Sequence, residues 1–372
     1  MYDLREHEWT ILVLLYSTRL KIVDLNDEDR DDGSVIGGFL HSLGCDESHG
    51  LEKLRVLTAR YTYVDLITKF HMLNDVELWF SRGTTKAQLV EAFSKLSALN
   101  RLSRLRVNWG IGHDHHPLVS ALLPPRSVNF QSLHSIGIVA PPYMALVLVQ
   151  CLTVNTTLKR IRVCCTSSLL QQTTTSRQIV DECGSVAPSL EEVDFKFYGD
   201  KLIGQETFDA VLDLSRRLRP RTLKFTWSGL GFDDAYIQKG CLSRCFSHLE
   251  VLHIKTFSAS HFPTLQVLRS LAIHCPLLKD LNLPFTAEVE HLPLLIKEIK
   301  NELPLSHCLK SLVIFLKHGP QTTKFLAHGE AVPIVSEYLA SLFPSLEHSY
   351  VEGSAKDLAL FEKGIRRTLK TL

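Results

Sequence analysis

The sequence predicts an α/β leucine-rich-repeat solenoid: a horseshoe of about 12 repeats of about 30 residues, with a parallel concave sheet and convex helices. Three observations carry this. An apolar pattern, Leu-x-x-Leu-x-Leu with Ile, Val or Phe allowed, recurs from one end of the chain to the other. The spacing of the copies is regular. The segments between copies carry apolar residues at helical rather than strand spacing.

The copies begin at Leu20/Val23/Leu25, Leu51/Leu54/Val56, Leu73/Val76/Leu78 and Leu102/Leu105/Val107. They continue through Leu133/Ile136/Ile138, Leu158/Ile161/Val163 and Leu190/Val193/Phe195, with a degraded copy at Leu223/Phe225. Leu249/Leu252/Ile254, Leu278/Leu281/Leu283 and Leu309/Leu312/Ile314 follow, and a weak copy closes the series at Leu346 and Val351. The middle positions are 23, 54, 76, 105, 136, 161, 193, 223, 252, 281, 312 and 349. Eight of the eleven gaps lie between 29 and 32 residues, which leaves room for a full helix after each strand. The gaps of 22 and 25 residues, after positions 54 and 136, predict shorter convex segments and the weakest part of the stack.

Between the strands, Phe208–Arg217, Thr264–Ile273 and Ile334–Phe343 read as helices. Pro188-Ser189, Pro276 and Pro344-Ser345 stand just before strand motifs, where proline stops a helix and lets the chain turn. Residues 3–17 read as an opening helix, with Asp3 as N-cap and Glu6 at the capping-box position. A basic closing helix is expected from Lys356 to Leu372. The expected organisation is therefore a single repeat domain over 1–372: a cap over 1–18, repeats over 19–352, and a cap over 353–372. No unit of such an array buries its apolar face alone, so stacking supplies the core.

Composition narrows the function. With 41 Lys+Arg against 40 Asp+Glu, the chain lacks the basic excess by which proteins hold nucleic acid electrostatically. No run approaches the roughly 18 apolar residues that span a bilayer, and no signal peptide is read, so neither nucleic acid nor membrane is expected as a partner. A soluble protein of the cytoplasm and/or nucleus is expected. The nine cysteines are odd in number, irregularly spaced and without a CxxC, which favours reduced, buried thiols over disulfides or zinc.

Strand alternation turns the third, fifth and seventh positions of each motif outward. The third and fifth positions read Lys53/Arg55, Asp75/Glu77, Arg104/Arg106, Ser135/Gly137, Arg160/Arg162 and Glu192/Asp194. Adjacent strands lie about 4.8 Å apart, so Arg55, Glu77 and Arg106 should form one row, and Lys53, Asp75 and Arg104 the next. Such pairs read either as a lateral ladder that solvates the sheet, worth about 0–1 kcal/mol each, or as a recognition surface. For the face as a whole, binding of a protein substrate or partner is the expectation. The seventh positions add Trp79, Val139 and Phe315, while Trp109 and Trp227, one residue on, should lean into the core. Trp79 reads as an interface anchor or as a ring packed beneath the next loop.

Other motifs lead nowhere. Asp24–Asp32 misplaces the glycine of a calcium loop, and Gly38 stands where its closing glutamate belongs. His113-Asp114-His115-His116 offers consecutive residues that converge poorly on one ion. Ser228–Phe232 reads as a turn after a strand, and Arg216–Arg221 as the cationic end of a helix or, alternatively, an import signal or phosphate patch. No nucleophile elbow, phosphate loop, dinucleotide fingerprint or HExxH is found. No catalytic residue, metal or cofactor is expected.

The stretches Leu271-Ala-Ile-His-Cys-Pro-Leu-Leu-Lys-Asp-Leu-Asn-Leu-Pro284 and Val332-Pro-Ile-Val-Ser-Glu-Tyr-Leu-Ala-Ser-Leu-Phe-Pro-Ser-Leu-Glu347 resemble the leucine-rich region of F-box proteins of mushroom-forming fungi. Glu8-Trp9 through Leu20-Lys-Ile-Val-Asp-Leu25 resembles the helix that opens that region. The resemblance covers nearly the whole chain loosely, and no F-box module is read within it. It implies a non-enzymatic role: holding a substrate for a cullin-based ubiquitin ligase, with a ligase adaptor as partner if an F-box lies outside this chain. The alternatives are an F-box-less repeat scaffold or regulator unrelated to ubiquitin transfer, and an enzyme built on the repeat scaffold.

Overall fold

The computed structural model describes residues 21–25, 34–44, 50–80, 84–109, 126–166, 172–198, 205–227, 233–256, 262–286, 291–300, 308–316, 331–352 and 365. The expected caps at 1–18 and 353–372 lie outside these residues, apart from the buried, helical Ile365. Strands and helices alternate, and the strands stand in chain order in a twelve-stranded sheet. The leucine-rich-repeat solenoid class is therefore what the chain adopts. It divides into two compact units: Met1–Ser167 with Thr174–Leu190, and Ser168–Thr173 with Glu191–Leu372.

The first unit carries β1 (Ile22–Leu25), α1 (Ser34–Gly44), β2 (Lys53–Ala59), α2 (Val64–Ile67), β3 (Asp75–Phe80), α3 (Lys86–Leu96), β4 (Arg104–Trp109), β5 (Ser135–Ala140), α4 (Pro142–Cys151) and β6 (Arg160–Thr166). All its strand pairs are parallel, and the middle leucine positions meet each other rung by rung: Val23 with Leu54, Val76, Leu105, Ile136 and Ile161 in turn. These side chains are almost fully buried, and the residues between them are half-exposed, the period-2 alternation of a half-buried strand. α3 shows why its helix begins where it does. Thr85 Oγ1 accepts from Gln88 N–H and Gln88 Oε1 accepts from Thr85 N–H, a reciprocal cap. Its inward face, Leu89, Val90, Phe93 and Leu96, reaches Phe130 with an edge-on ring contact at 5.2 Å.

The short 54–76 gap holds only the 3₁₀ turn Tyr61–Tyr63 and the one-turn α2, yet Tyr63, Val64, Ile67, Phe70 and Leu73 are all buried. The 136–161 gap is filled by α4, started by Pro142, and then by an Asn155 turn. There Asn155 Oδ1 accepts from Thr157 N–H and Leu158 N–H, while Nδ2 donates to Phe130 O in the preceding repeat at 2.7 Å.

The second unit carries β7 (Glu192–Tyr198), α6 (Gln205–Leu218), β8 (Thr222–Trp227), α7 (Asp234–Leu242), β9 (Val251–Thr256), α8 (Val267–His274), β10 (Asp280–Phe285), α9 (Leu292–Lys300), β11 (Ser311–Leu316), α10 (Ala331–Leu342) and β12 (His348–Glu352). α5 (Gln172–Val186) precedes β7 in the chain. Val193, Leu223, Leu252, Leu281, Leu312 and Ser349 again meet rung by rung. Phe208 of α6 packs on Phe225 and Trp227 of β8, with ring centres 6.2 and 6.0 Å apart. α6 ends as its basic turn predicts. Arg216 and Arg217 occupy the last turn, and Arg219 takes the left-handed conformation (φ 52°), donating its N–H to Ser215 O.

Strands β2–β6 and β8–β12 open in the same way. Two successive N–H groups converge on one carbonyl of the previous repeat, as Asn74 and Asp75 do on Glu52 O, and Lys279 and Asp280 on Glu250 O. Six cysteines, Cys151, Cys165, Cys183, Cys241, Cys245 and Cys275, are buried free thiols, Cys164 is half-buried and Cys308 is exposed. Burial pushes the Cys151 thiol up to about 11, which makes it a packing group rather than a nucleophile.

Candidate functional site

The strand face of the first unit realises the two expected rows. In one, Arg55 lies between Glu77 (Nε to Oε2 3.6 Å) and Asp24 (Nη1 to Oδ2 3.2 Å), and Arg106 Nη1 meets Glu77 Oε1 at 3.2 Å. In the other, Asp75 Oδ2 takes Lys53 Nζ at 3.5 Å and Arg104 Nη1 at 3.2 Å. Both rows follow from register: Lys53, Asp75 and Arg104 are successive Cα partners, and so are Arg55, Glu77 and Arg106.

The two signs differ in depth. Asp75 and Glu77 are 17% and 18% exposed, whereas Lys53 and Arg104 are 45% and 57% exposed. The carboxylates sit beneath the cationic heads, so this stretch of sheet presents guanidinium and ammonium groups outward. Arg106 Nε is a buried donor without a hydrogen-bond partner.

Trp79 closes the site along β3. Its indole Nε1 donates to Glu77 Oε1 at 2.8 Å, so one carboxylate gathers Arg55, Arg106 and Trp79. Beside it β2 is bulged: Val56 pairs with Leu78 and Ala59 with Phe80, leaving two residues of β2 against Trp79. Trp109, by contrast, is buried and donates to Thr84 O at 3.1 Å, and Trp227 is buried against Phe208 and Phe225, as their place in the motif predicts.

On β5, Ser135 and Gly137 occupy the row positions between β4 and β6. Arg160 and Arg162 stand in register with them on β6, Arg160 exposed and Arg162 half-buried. Glu192 and Asp194 open β7 in the second unit, in register with Thr222 and Lys224. Further along the second unit's strand face, His253 Nε2 meets Asp280 Oδ2 at 2.9 Å. Desolvation raises the Asp280 carboxyl, but the His253 bond and charge, with Ser311, outweigh it and leave Asp280 below the usual carboxylate range. Asn282 beside it is buried.

Sequence reasoning missed two features. Asp24 extends the Arg55 row by one strand, and the third-and-fifth-position rule reaches it once β1 is taken as a full repeat. The second motif position carries a ladder of its own. Lys21 meets Glu52 at 3.1 Å in the first unit. In the second unit Glu250 holds Arg221 (2.6 Å) and Lys279 (2.7 Å), and Lys310 holds Glu347 (2.9 Å). Lys279 and Arg221 hold the Glu250 carboxyl below its usual range. The signal was in the sequence, because the alternation Arg221, Glu250, Lys279 falls at one motif position.

The His113–His116 run and Ser228–Phe232 lie outside the described residues, as do residues 27–32 of the acidic stretch. Among the described residues no group of three or more His, Cys, Asp or Glu is placed to hold a metal ion, and no helix is long and apolar enough to cross a membrane. The face offers hydrogen-bond donors, positive charge and an indole edge, which suit recognition of a surface by ion pairing. No known protein family's sequence pattern matches the chain, and no curated protein matches it.

Proposed function

We propose that the chain is a non-enzymatic protein-binding solenoid that holds another protein on the strand face of its first unit. In this reading it works inside the cell as the substrate-recognition part of a cullin-based ubiquitin ligase, as the resemblance to F-box repeat proteins implies. The observation that carries the binding reading is the Glu77 cluster. One sunken carboxylate fixes Arg55, Arg106 and the Trp79 indole in a single solvent-facing array. Arg and Trp are the residue types in which interface energy concentrates, and here their geometry is set before any partner arrives. Substrate would be positioned and ubiquitin transferred by other subunits, so no catalytic group is assigned to this chain.

The test is affinity purification of the tagged full chain from its own cells, with mass spectrometry, run beside a Trp79→Ala/Arg106→Ala variant. Recovery of a ligase adaptor and cullin, with further proteins lost in the variant, supports the whole reading. One reproducible partner, lost in the variant but without adaptor or cullin, supports the binding face and sinks the ligase assignment. A partner set unchanged in the variant sinks the binding face.

A further inference from the structure

The basic cluster Arg216–Arg221 sits at the end of α6, and the structure divides it in two. Arg216 is paired with Asp213, and Arg221 with Glu250. Arg217 and Arg219 are exposed, and so is Arg244 just after α7. Among the described residues no carboxylate pairs with these three.

Arg219 and Arg244 share a second property. Both take the left-handed conformation, with φ 52° and 57°. A side chain makes that conformation costly, and helix ends commonly place glycine or asparagine there. The helix dipole favours a cation near each end. It does not require one on the left-handed residue, because Arg216 and Arg217 already occupy the last turn of α6 and Lys239 that of α7.

The helix ends lie side by side. Ser215 Oγ, buried one turn before Arg219, donates to Cys245 O at 2.7 Å and joins the end of α6 to the turn after α7. α8 packs along α7 in turn. Apolar side chains face solvent at these same ends. Leu242, the last residue of α7, is 72% exposed, and Ile273 and Leu277, around the end of α8, are exposed as well. Packed helices stand about 8–10 Å apart. A helix laid across their ends repeats its own face every seven residues, about 10.5 Å at 1.5 Å per residue. Its period matches their spacing. Apolar residues at i and i+7 then meet Leu242 and the Ile273–Leu277 pair, and acidic residues flanking i meet the three arginines.

We propose that the ends of α6, α7 and α8 form a docking edge for an acidic amphipathic helix of a partner protein. Leu242, Ile273 and Leu277 supply apolar contact, and Arg217, Arg219 and Arg244 supply ion pairs. Charge complementarity selects this occupant: covering three unpaired guanidinium groups with a neutral apolar surface strips their water without return, whereas carboxylates replace it. The edge shares no residue with the first unit's strand face and adds a second binding surface to the one proposed above.

The experiment is fluorescence anisotropy of the full chain with a labelled synthetic helix carrying leucine every seventh residue and glutamates beside it, against the same peptide with glutamines. At least tenfold tighter binding of the glutamate peptide is expected, weakening as salt is raised. Arg219→Gly/Arg244→Gly removes two guanidinium groups and relieves both left-handed residues. The glutamate peptide should weaken at least tenfold in it while the melting temperature holds or rises, an outcome that a purely structural role for these arginines does not give. Leu242→Gln changes an open position and should weaken the peptide at least fivefold with the fold intact, whereas Trp79→Ala/Arg106→Ala should bind it as wild type does. Equal binding of the two peptides, full binding by Arg219→Gly/Arg244→Gly or by Leu242→Gln, or binding to phosphatidylserine vesicles in place of the peptide would overturn the proposal. Peptide lost in Trp79→Ala/Arg106→Ala but kept in Arg219→Gly/Arg244→Gly would overturn it too, and would leave the first unit's strand face standing.

Discussion

The strand faces of the two units differ although their cores are built alike. In each unit the same motif position pairs with itself in every rung and is buried. Outward, the first unit sets Arg, Lys, Asp and Glu in linked rows around Glu77, while the second carries Glu192, Asp194 and Lys224 on β7 and β8, the His253–Asp280 pair on β9 and β10, and Thr222, Val251 and Val313 between and beyond them. The difference teaches that inward and outward positions of a repeat strand are separate codes. Burial fixes the first, and only a partner or a neighbouring side chain constrains the second.

If the cores are equivalent, equal truncations must cost about the same. Leu105→Ala in the first unit and Leu252→Ala in the second, both fully buried, should each lose about 2–5 kcal/mol in urea unfolding. A site at which the chain shrugs off the change would break the equivalence.

The next largest contrast lies in helix length. The 54–76 rung is closed by the four-residue α2, and the 193–223 rung by the fourteen-residue α6. Amide exchange should therefore be fastest around α2 and slow through β7 and β8. Strongest protection at residues 54–76 would show that the buried Tyr63, Ile67 and Phe70 fully replace the missing helix.

How far the sequence was readable follows the same division. Within each unit every middle position, including the degraded Leu223 and the polar Ser349, stands in register with its neighbours, because a one-residue slip would turn a buried row to solvent. Helix ends shifted by one to three residues: Phe208–Arg217 became Gln205–Leu218, and Thr264–Ile273 became Val267–His274. Caps and turns, rather than apolar spacing, decide such ends. The Arg55–Glu77–Arg106 row was legible from register alone. The β2 bulge beside Trp79 was not, since nothing in Leu51–Tyr61 marks two residues facing one.

Acid should separate the units more mildly. Asp280 has a depressed carboxyl, so its stabilising contribution is present above the ordinary carboxylate pKa and is lost as pH falls through the lower folded value. Asp280→Asn should flatten the acid limb of stability against pH in the second unit, read by thermal melts between pH 5 and pH 2. A limb identical to wild type would show that the His253 pairing carries no stability.

The smallest effect concerns the row itself. Glu77→Gln keeps the shape and removes the charge shared by Arg55 and Arg106. It should cost about 1 kcal/mol or less, and less at high salt. Fold stability thus barely depends on the group that organises the face.

That asymmetry makes binding the direct test. The measurement is the affinity of a partner purified with the wild-type chain for Glu77→Lys, which puts a cation at the centre of the array. The account predicts at least a tenfold loss of affinity with the melting temperature shifted by only a few degrees. Unchanged affinity would contradict it and move the binding surface away from the first unit's strands.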